Sequence, residues 1–121
     1  MPSNRKTVTL SRRKRDRYLM VFEALGEPMR LRIMELLPRE PRCMDMYNVI
    51  ELAAELGLSQ PTVSHHLKML RGAGLVKSRR QCNSVYFYTD MRAVDRWLAE
   101  AARRLGRPLQ NNLSQTGRED R

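Results

Sequence analysis

The chain has 121 residues, with 23 Lys and Arg against 13 Asp and Glu, so that its net charge is +10. This length fits a single domain with a modest core, and the charge favours a polyanionic partner without distinguishing DNA from RNA. No apolar run approaches the roughly 18 residues of a membrane-spanning helix, and the basic N-terminus lacks the apolar stretch of a signal peptide. The two cysteines lack Cys-x-x-Cys spacing and suit a reducing compartment. We therefore expect a soluble cytoplasmic protein.

The first third of the chain predicts two helices behind a basic arm. Residues 1–11 show no periodicity and are expected to form a flexible arm. Apolar residues within 18–25 share one helical face, and a second helix is predicted over residues 28–37, since Pro28 suits a first helical turn. Arg30 on the second helix is interpreted as structural or as a phosphate contact, and the sequence leaves both open.

The next segment, PREPRCMDMY over residues 38–47, breaks the helical pattern with two prolines. In a plain loop its side chains Met44, Met46 and Tyr47 would be exposed to water. We expect them to pack on the body of the domain or to line a small pocket, with core packing favoured.

A short helix followed by a tight turn is predicted in the middle of the chain. Asn48 and Glu51 have the spacing of a capping box, and Gly57 suits the end of that helix. Ser59 then caps a second helix over about residues 60–71. Two helices joined in this way form a helix-turn-helix, whose second helix enters the major groove of DNA.

The second of these helices has one apolar and one polar face. Val63, Leu67 and Leu70 recur at helical spacing and form the face that docks on a core. The opposite face carries small hydrogen-bonding groups, a histidine and a lysine but no carboxylate, a composition that suits base edges and phosphates. An ordinary solvated face fits this helix equally well by itself, and the preceding helix decides in favour of DNA.

Two short runs of β-branched and aromatic residues, 75–78 and 85–89, predict a β-hairpin with RRQCNS at its tip. Arg79 and Arg80 at this tip, with Lys77 below them, place three cations on a projecting wing. Basic hairpin tips are often only solvated, but the adjacent helix-turn-helix favours contact with the neighbouring DNA backbone or minor groove.

The last predicted helix begins after the N-cap Asp90 and carries an apolar stripe that needs a partner. Gly106 and Pro108 end this helix. Residues 107–121 are polar enough to remain a disordered tail, which leaves residues 12–106 as the winged-helix domain.

Three stretches within residues 18–105 together resemble the ArsR/SmtB family of winged-helix repressors: LGEPMRLRIMELL, ELAAELGLSQPTVSHHLKMLRGAGLV and a hairpin that ends VYFYT. The resemblance implies a mainly α fold with a small β-hairpin, a winged helix-turn-helix in the order α-α-α-α-β-β-α. It also implies a homodimer whose first and last helices pair across a two-fold axis, and an inducer that releases the protein from operator DNA. The expected function is that of a sequence-specific repressor acting as a dimer on a palindromic operator.

The residues expected to contact DNA lie at the N-cap and outward face of the second helix-turn-helix helix and on the wing: Ser59, Gln60, Thr62, Ser64, His65, Lys68, Lys77, Arg79 and Arg80. The residues expected at the dimer seam lie on the first and last helices: Tyr18, Phe22, Val94, Trp97, Leu98, Ala101 and Leu105. His66 falls nearer the docked face, and we interpret it as a helix-rim residue or a phosphate contact.

Two departures from the family pattern predict that no metal or other cofactor is bound. Where metal-sensing relatives carry Cys-x-Cys, residues 48–50 here are Asn, Val and Ile. Other relatives bind metal through an Asp-x-His pair and a later His. Here Asp90 is kept, Arg92 occupies the position of the first His, and Arg103 lies near the position of the later His. Two cations in place of imidazoles would repel Zn²⁺.

The sequence leaves the inducer unknown. Cys43 in the proline-containing loop and Cys82 at the wing are candidate sensors of oxidants or of a soft thiophilic ion, because Cys82 follows two arginines that favour a thiolate. The alternative is equally open: two inert thiols in a regulator that is controlled by an organic ligand or by expression level alone.

Other functional classes fit less well. The sequence contains no phosphate-binding glycine loop, nucleophile elbow or paired carboxylates with a nearby base, so we predict no enzymatic activity. A winged-helix protein-interaction module without specific DNA binding is the alternative from another class, and it would bind DNA weakly and without salt dependence. An RNA-binding role is disfavoured because single-strand binders expose stacking aromatics, and only Tyr86 and Tyr88 occur together.

Overall fold

The computed structural model of the chain describes residues 17–42 and 44–106, which form five helices and a two-stranded hairpin. In chain order the elements are α1 (residues 17–25), α2 (Pro28–Leu36), α3 (Val49–Leu56), α4 (Gln60–Gly72), β1 (Val76–Gln81), β2 (Ser84–Thr89) and α5 (Met91–Arg104). This order confirms the predicted winged helix-turn-helix. The predicted arm (residues 1–11) and tail (107–121) lie outside the described residues, as does Cys43, so the domain boundaries stay predictions. None of the helices described is long and apolar enough to cross a membrane.

Side chains at the helix starts satisfy backbone N–H groups that a helix leaves without partners. Asn48 Oδ1 accepts the Glu51 N–H at 2.8 Å, and Glu51 Oε1 accepts the Asn48 N–H at 2.9 Å, which confirms the capping box. Gly57 follows α3 with a φ of 69°, a left-handed conformation that costs glycine little. Residues 57–59 alone therefore separate α3 from α4.

The core lies between the first four helices and the base of the hairpin. Ile33 and Leu52 from α2 and α3 are fully buried, as are Val63 and Leu70 on the predicted docking face of α4. Burying a side chain of this size stabilises the fold by roughly 1.5–3 kcal/mol. The apolar face of α4 is thus fixed on the core, and its opposite face is left to solvent.

The segment between α2 and α3 packs along β2. The Phe87 N–H donates to the Tyr47 carbonyl at 2.8 Å, and the Thr89 N–H donates to the Pro38 carbonyl at 2.8 Å. Met46 is buried, as predicted, whereas Met44 is 92% exposed and does not pack in the core; it lines a depression together with Met46 and Tyr47, which was the other outcome expected. The two backbone hydrogen bonds fix the segment, and Met44 lies in a turn that points into solvent.

The hairpin is longer and tighter than predicted. Its strands β1 and β2 pair antiparallel along their whole length, and Cys82 and Asn83 alone form the turn. Both turn residues have positive φ, 48° and 66°, as in the two-residue turns whose twist matches that of the flanking strands. Arg79 and Arg80 therefore lie within β1, which corrects the prediction that RRQCNS forms the tip.

Candidate nucleic-acid interface

The outward face of α4 is polar, exposed and free of carboxylates. Five residues predicted to contact DNA are exposed on this helix: Gln60, Thr62, Ser64, His65 and Lys68. No residue of Gln60–Gly72 is Asp or Glu. The N-terminus of the helix also carries partial positive charge from its unpaired N–H groups, which attracts phosphate. This face can therefore approach nucleic acid without repulsion from its own side chains.

Ser59 serves the helix itself. Its Oγ accepts the Thr62 backbone N–H at 3.3 Å and lies 2.9 Å from the Thr62 Oγ1. The two hydroxyls share one hydrogen bond, and each can still form one with a further partner. The first turn of α4 is thereby fixed where a groove-binding helix presents its N-terminal residues to base edges.

The wing cations are exposed but differ in their contacts. The Lys77 Nζ lies 3.7 Å from the Asp90 Oδ2, and the Arg79 Nη1 donates to the Pro41 carbonyl at 3.3 Å. Within the described part of the chain, the Arg80 side chain makes neither an ion pair nor a hydrogen bond. Arg80 is consequently the wing cation that can move to a phosphate without breaking a contact.

A depression of about 430 Å³ runs beside α4. Its polar edge consists of Ser64, Lys68 and Arg71, and Val49 and Phe87 contribute to its apolar lining. Arg71 was not among the residues predicted to contact DNA. The signal was present, because Arg71 follows Lys68 by three positions and so shares its side of the helix.

His66 is a buried structural residue, which corrects both interpretations made from the sequence. It is 8% exposed, and its Nδ1 lies 3.3 Å from the Arg30 Nη1. Burial lowers the pKa of its imidazole from 6.5, an effect opposed by the Glu27 carboxylate and reinforced by Arg30 and His65. Arg30 is likewise structural, since its Nε donates to the Ala24 carbonyl at 2.6 Å.

Helices α1 and α5 contact each other within one chain. The ring centroids of Tyr18 and Trp97 lie 6.2 Å apart, and those of Tyr18 and Phe22 lie 4.9 Å apart. Phe22, Val94 and Trp97 are half-buried against the core, and Ala101 is buried. These members of the predicted dimer seam therefore already have partners in their own chain.

Large apolar side chains remain exposed on the same two helices. Leu98 and Leu105 of the predicted seam are 55% and 66% exposed. Leu19 and Met20 on α1 are also exposed, and neither was among the residues expected at the dimer seam. The outer faces of α1 and α5 thus offer apolar surface to a partner.

The candidate sensor and metal positions are only partly described. Cys82 is an exposed free thiol in the hairpin turn. Among residues 17–42 and 44–106, no group of three His, Cys, Asp or Glu side chains is placed to hold a metal ion. Cys43 lies outside these ranges, and the absence of a metal or cofactor stays a prediction.

Comparison with known sequences gives matches along the helix-turn-helix. A family model described as "bacterial regulatory protein, arsR family" matches residues 27–78. A transcriptional repressor SmtB homolog from Synechocystis is 44% identical over 66 residues, which cover 54% of this chain and only 46% of that relative. An uncharacterized HTH-type transcriptional regulator from Methanocaldococcus jannaschii is 39% identical over 75 residues, covering 62% of this chain and 80% of the relative.

Solved structures share the same fold. A winged helix-turn-helix DNA-binding domain from Mycobacterium bovis, described as homodimeric and as a possible ArsR-family regulator, superposes with a TM-score of 0.62. The match covers 84% of this chain and 94% of that domain at 23% identity, so the likeness concerns the fold.

Proposed function

Because the chain belongs to the ArsR family of bacterial regulatory proteins, we propose that it is a homodimeric repressor that binds a palindromic operator and is released by an inducer. Membership of this family confirms the predictions of a winged helix-turn-helix transcriptional regulator and of a chain that is not an enzyme. The family match does not by itself show the palindromic operator, the dimer or the inducer. We argue the operator from the surface of α4 and β1, the dimer from the outer faces of α1 and α5, and the inducer from the Cys82 thiol.

The observation that carries the proposal is the carboxylate-free outward face of α4. In a protein with 13 acidic residues, an ordinary solvent-exposed helix can carry Asp or Glu on its outer face. A helix in the major groove disfavours them, because the phosphates that line both sides of the groove repel a carboxylate. The strand next to it, β1, is free of carboxylates as well. Neither of these two elements therefore adds a carboxylate of its own to the proposed DNA surface.

Roles on this surface follow from position and chemistry. Gln60, Thr62, Ser64 and His65 lie near the helix N-terminus and carry groups that hydrogen-bond to base edges. Lys68, Arg79 and Arg80 are cations that suit the phosphate backbone, and Arg71 joins them. Lys77 forms an ion pair with Asp90, and Ser59 accepts a hydrogen bond from Thr62, so we assign both residues mainly to contacts within the protein.

The proposed dimer uses the outer faces of α1 and α5. The exposed Leu19, Met20, Leu98 and Leu105 would be covered by the same side chains of a second copy, as an isologous interface requires. The homodimeric Mycobacterium bovis domain, which shares the fold, supports this arrangement. Two-fold symmetry then places the recognition helices in half-sites about 34–36 Å apart.

For the inducer, the exposed Cys82 thiol supports oxidation or a soft thiophilic ion as the trigger, while control by an organic ligand or by expression level stays open. No metal or cofactor is part of the proposed complex. The second candidate function, a winged-helix protein-interaction module, makes no use of the basic surface of α4 and β1 and is disfavoured for that reason.

Selection of binding sites from a pool of random duplexes tests the proposal. The wild-type protein should enrich a palindrome with half-sites one helical turn apart, and a Gln60→Ala/His65→Ala variant should enrich none. An Arg32→Ala/Glu35→Ala variant, which removes an exposed ion pair on α2, is the matched control and should enrich the same palindrome. A folded wild-type protein that enriches no sequence would instead favour the protein-interaction module.

A further inference from the structure

One arginine on α2 connects three helices. The Arg30 guanidinium donates to two carbonyls in the last turn of α1, from Nε to Ala24 at 2.6 Å and from Nη2 to Glu23 at 3.4 Å. Its third nitrogen, Nη1, lies 3.3 Å from Nδ1 of His66 on α4. The guanidinium fork thus ties the recognition helix to the helix that carries exposed apolar residues of the proposed dimer seam.

This contact specifies the protonation state of the imidazole. A guanidinium only donates hydrogen bonds, so the His66 Nδ1 must accept, and the ring is neutral with its proton on Nε2. The Glu27 Oε1 lies 3.9 Å from the same Nδ1 and accepts the Arg30 backbone N–H at 3.0 Å. A proton on Nδ1 would therefore remove the bond to Arg30 and attract the ring towards Glu27.

We propose, on the basis of the DNA-binding function above, that Arg30 and His66 are positioning residues that set the orientation of α4 relative to α1. The hydrogen bond between guanidinium and neutral imidazole fixes the angle at which each recognition helix leaves the dimer. Protonation of His66 breaks the bond, so specific DNA binding weakens in acid while random-sequence binding, which depends on charge, is affected less.

The chain has two histidines, and they are neighbours on α4. The charged groups that act on the buried His66 are Glu27, Arg30 and the neighbouring His65, whose ring centroid is 6.2 Å away. Burial is the largest influence and lowers the His66 pKa, so that its protonation lies below pH 6.5. Replacing His65 by Asn leaves His66 as the one histidine of the chain, so the test uses a His65→Asn background.

The test measures the affinity of His66 variants in that background for operator and for random duplex, at about pH 7.5 and about pH 5.5. His66→Asn places an amide oxygen close to the Nδ1 position, where it accepts from Arg30 and cannot titrate. It should bind the operator as the parent does at the higher pH and keep that affinity in acid. His66→Leu lacks an acceptor and should lose about tenfold on the operator at both pH values.

Arg30→Ala should also lose about tenfold in affinity for the operator. Arg32→Ala removes the same charge from the exposed side of α2 and should change the affinity for operator and for random duplex equally. Circular dichroism of each variant confirms that it is folded. The proposal is overturned if Arg30→Ala and Arg32→Ala have equal effects in folded proteins, or if His66→Asn and its parent lose the same affinity in acid.

A measurement without DNA separates this inference from the proposed function. In ¹⁵N NMR spectra of the histidine rings, His66 should show a non-protonated Nδ1 at neutral pH and should become protonated there below pH 6.5. A protonated Nδ1 at neutral pH would overturn the Arg30 contact even if the protein binds its operator. A correct tautomer in a protein that binds no operator would overturn both the proposed function and the positioning role.

Discussion

The Lys77 ammonium lies 3.7 Å from the carboxylate of Asp90, and that carboxylate also accepts the Ala93 N–H at 3.2 Å to cap α5. The Asp90 backbone N–H donates in turn to the Leu75 carbonyl at 2.9 Å. One acidic residue therefore joins the base of the wing to the start of the last helix, and so links the proposed DNA surface to the proposed dimer surface.

The cap, rather than the ion pair, should account for most of the contribution of Asp90 to stability. Asp90→Ala should lower the free energy of unfolding by about 0.5–2 kcal/mol, because the Ala93 N–H loses its partner. Asp90→Asn keeps the cap, and Lys77→Ala removes only an exposed charge pair, so each should cost less than about 1 kcal/mol. Urea unfolding of the three variants measures this. A loss for Lys77→Ala equal to that for Asp90→Ala would contradict it.

His65 and Lys68 should differ in how they discriminate between DNAs. His65→Ala should cost roughly 1–3 kcal/mol on the operator and little on random duplex, because it removes a base contact. Lys68→Ala should weaken binding to both DNAs alike, because phosphates are common to both. Fluorescence anisotropy with labelled duplexes measures the four affinities. Equal losses on both DNAs for His65→Ala would assign it to the phosphates.

Leu98→Asp should separate the dimer without unfolding the chain. The side chain is 55% exposed in one chain, so a carboxylate there is tolerated by the monomer but not in an apolar seam. Ile50→Asp, at a similarly exposed apolar residue on α3, is the matched control and should leave the dimer intact. Sedimentation velocity gives the oligomeric state. Trp97→Ala is less informative, since Trp97 packs on Tyr18 within its own chain.

If the wild-type protein sedimented as a monomer at micromolar concentration, the dimer would be excluded whatever Leu98→Asp did. A dimer that survives Leu98→Asp would place the seam on another surface.

Oxidation should weaken operator binding only when the thiols are present. Treating the wild-type protein with oxidant should lower its affinity, because Cys82 is exposed in the turn of the wing. The Cys43→Ser/Cys82→Ser variant should bind equally with and without oxidant, and Cys82→Ser alone assigns the effect. Identical affinities for wild type and variant under both conditions would remove the thiols from the mechanism and favour the organic-ligand or expression-level alternatives.

The features that follow from neighbouring residues were predictable from the sequence. The Asn48 capping box and the Asp90 cap each involve residues three positions apart, so a short stretch of sequence contains the whole interaction. Val63, Leu67 and Leu70 recur at helical spacing, and the buried face of α4 follows from that spacing alone.

The features that depend on distant residues were not predictable. Arg30 and His66 are 36 positions apart, and their contact exists only after α2 and α4 have packed. The hairpin turn was misplaced because Cys82 and Asn83 lack the Asn-Gly or Asp-Gly signature of such turns, although Asn tolerates positive φ. The segment that contains Met44 is held to β2 by backbone hydrogen bonds of Pro38 and Tyr47, which no local pattern contains.

The salt dependence of operator binding tests the central claim most directly. Lys68, Arg71, Arg79 and Arg80 in each of two subunits would make eight phosphate contacts, so the slope of log affinity against log salt concentration should be about −7. Replacement of all four cations by Ala should bring the slope near zero, and the wild-type protein should prefer operator over random duplex at every salt concentration. A wild-type slope near zero, without preference for any sequence, would contradict a DNA-binding repressor.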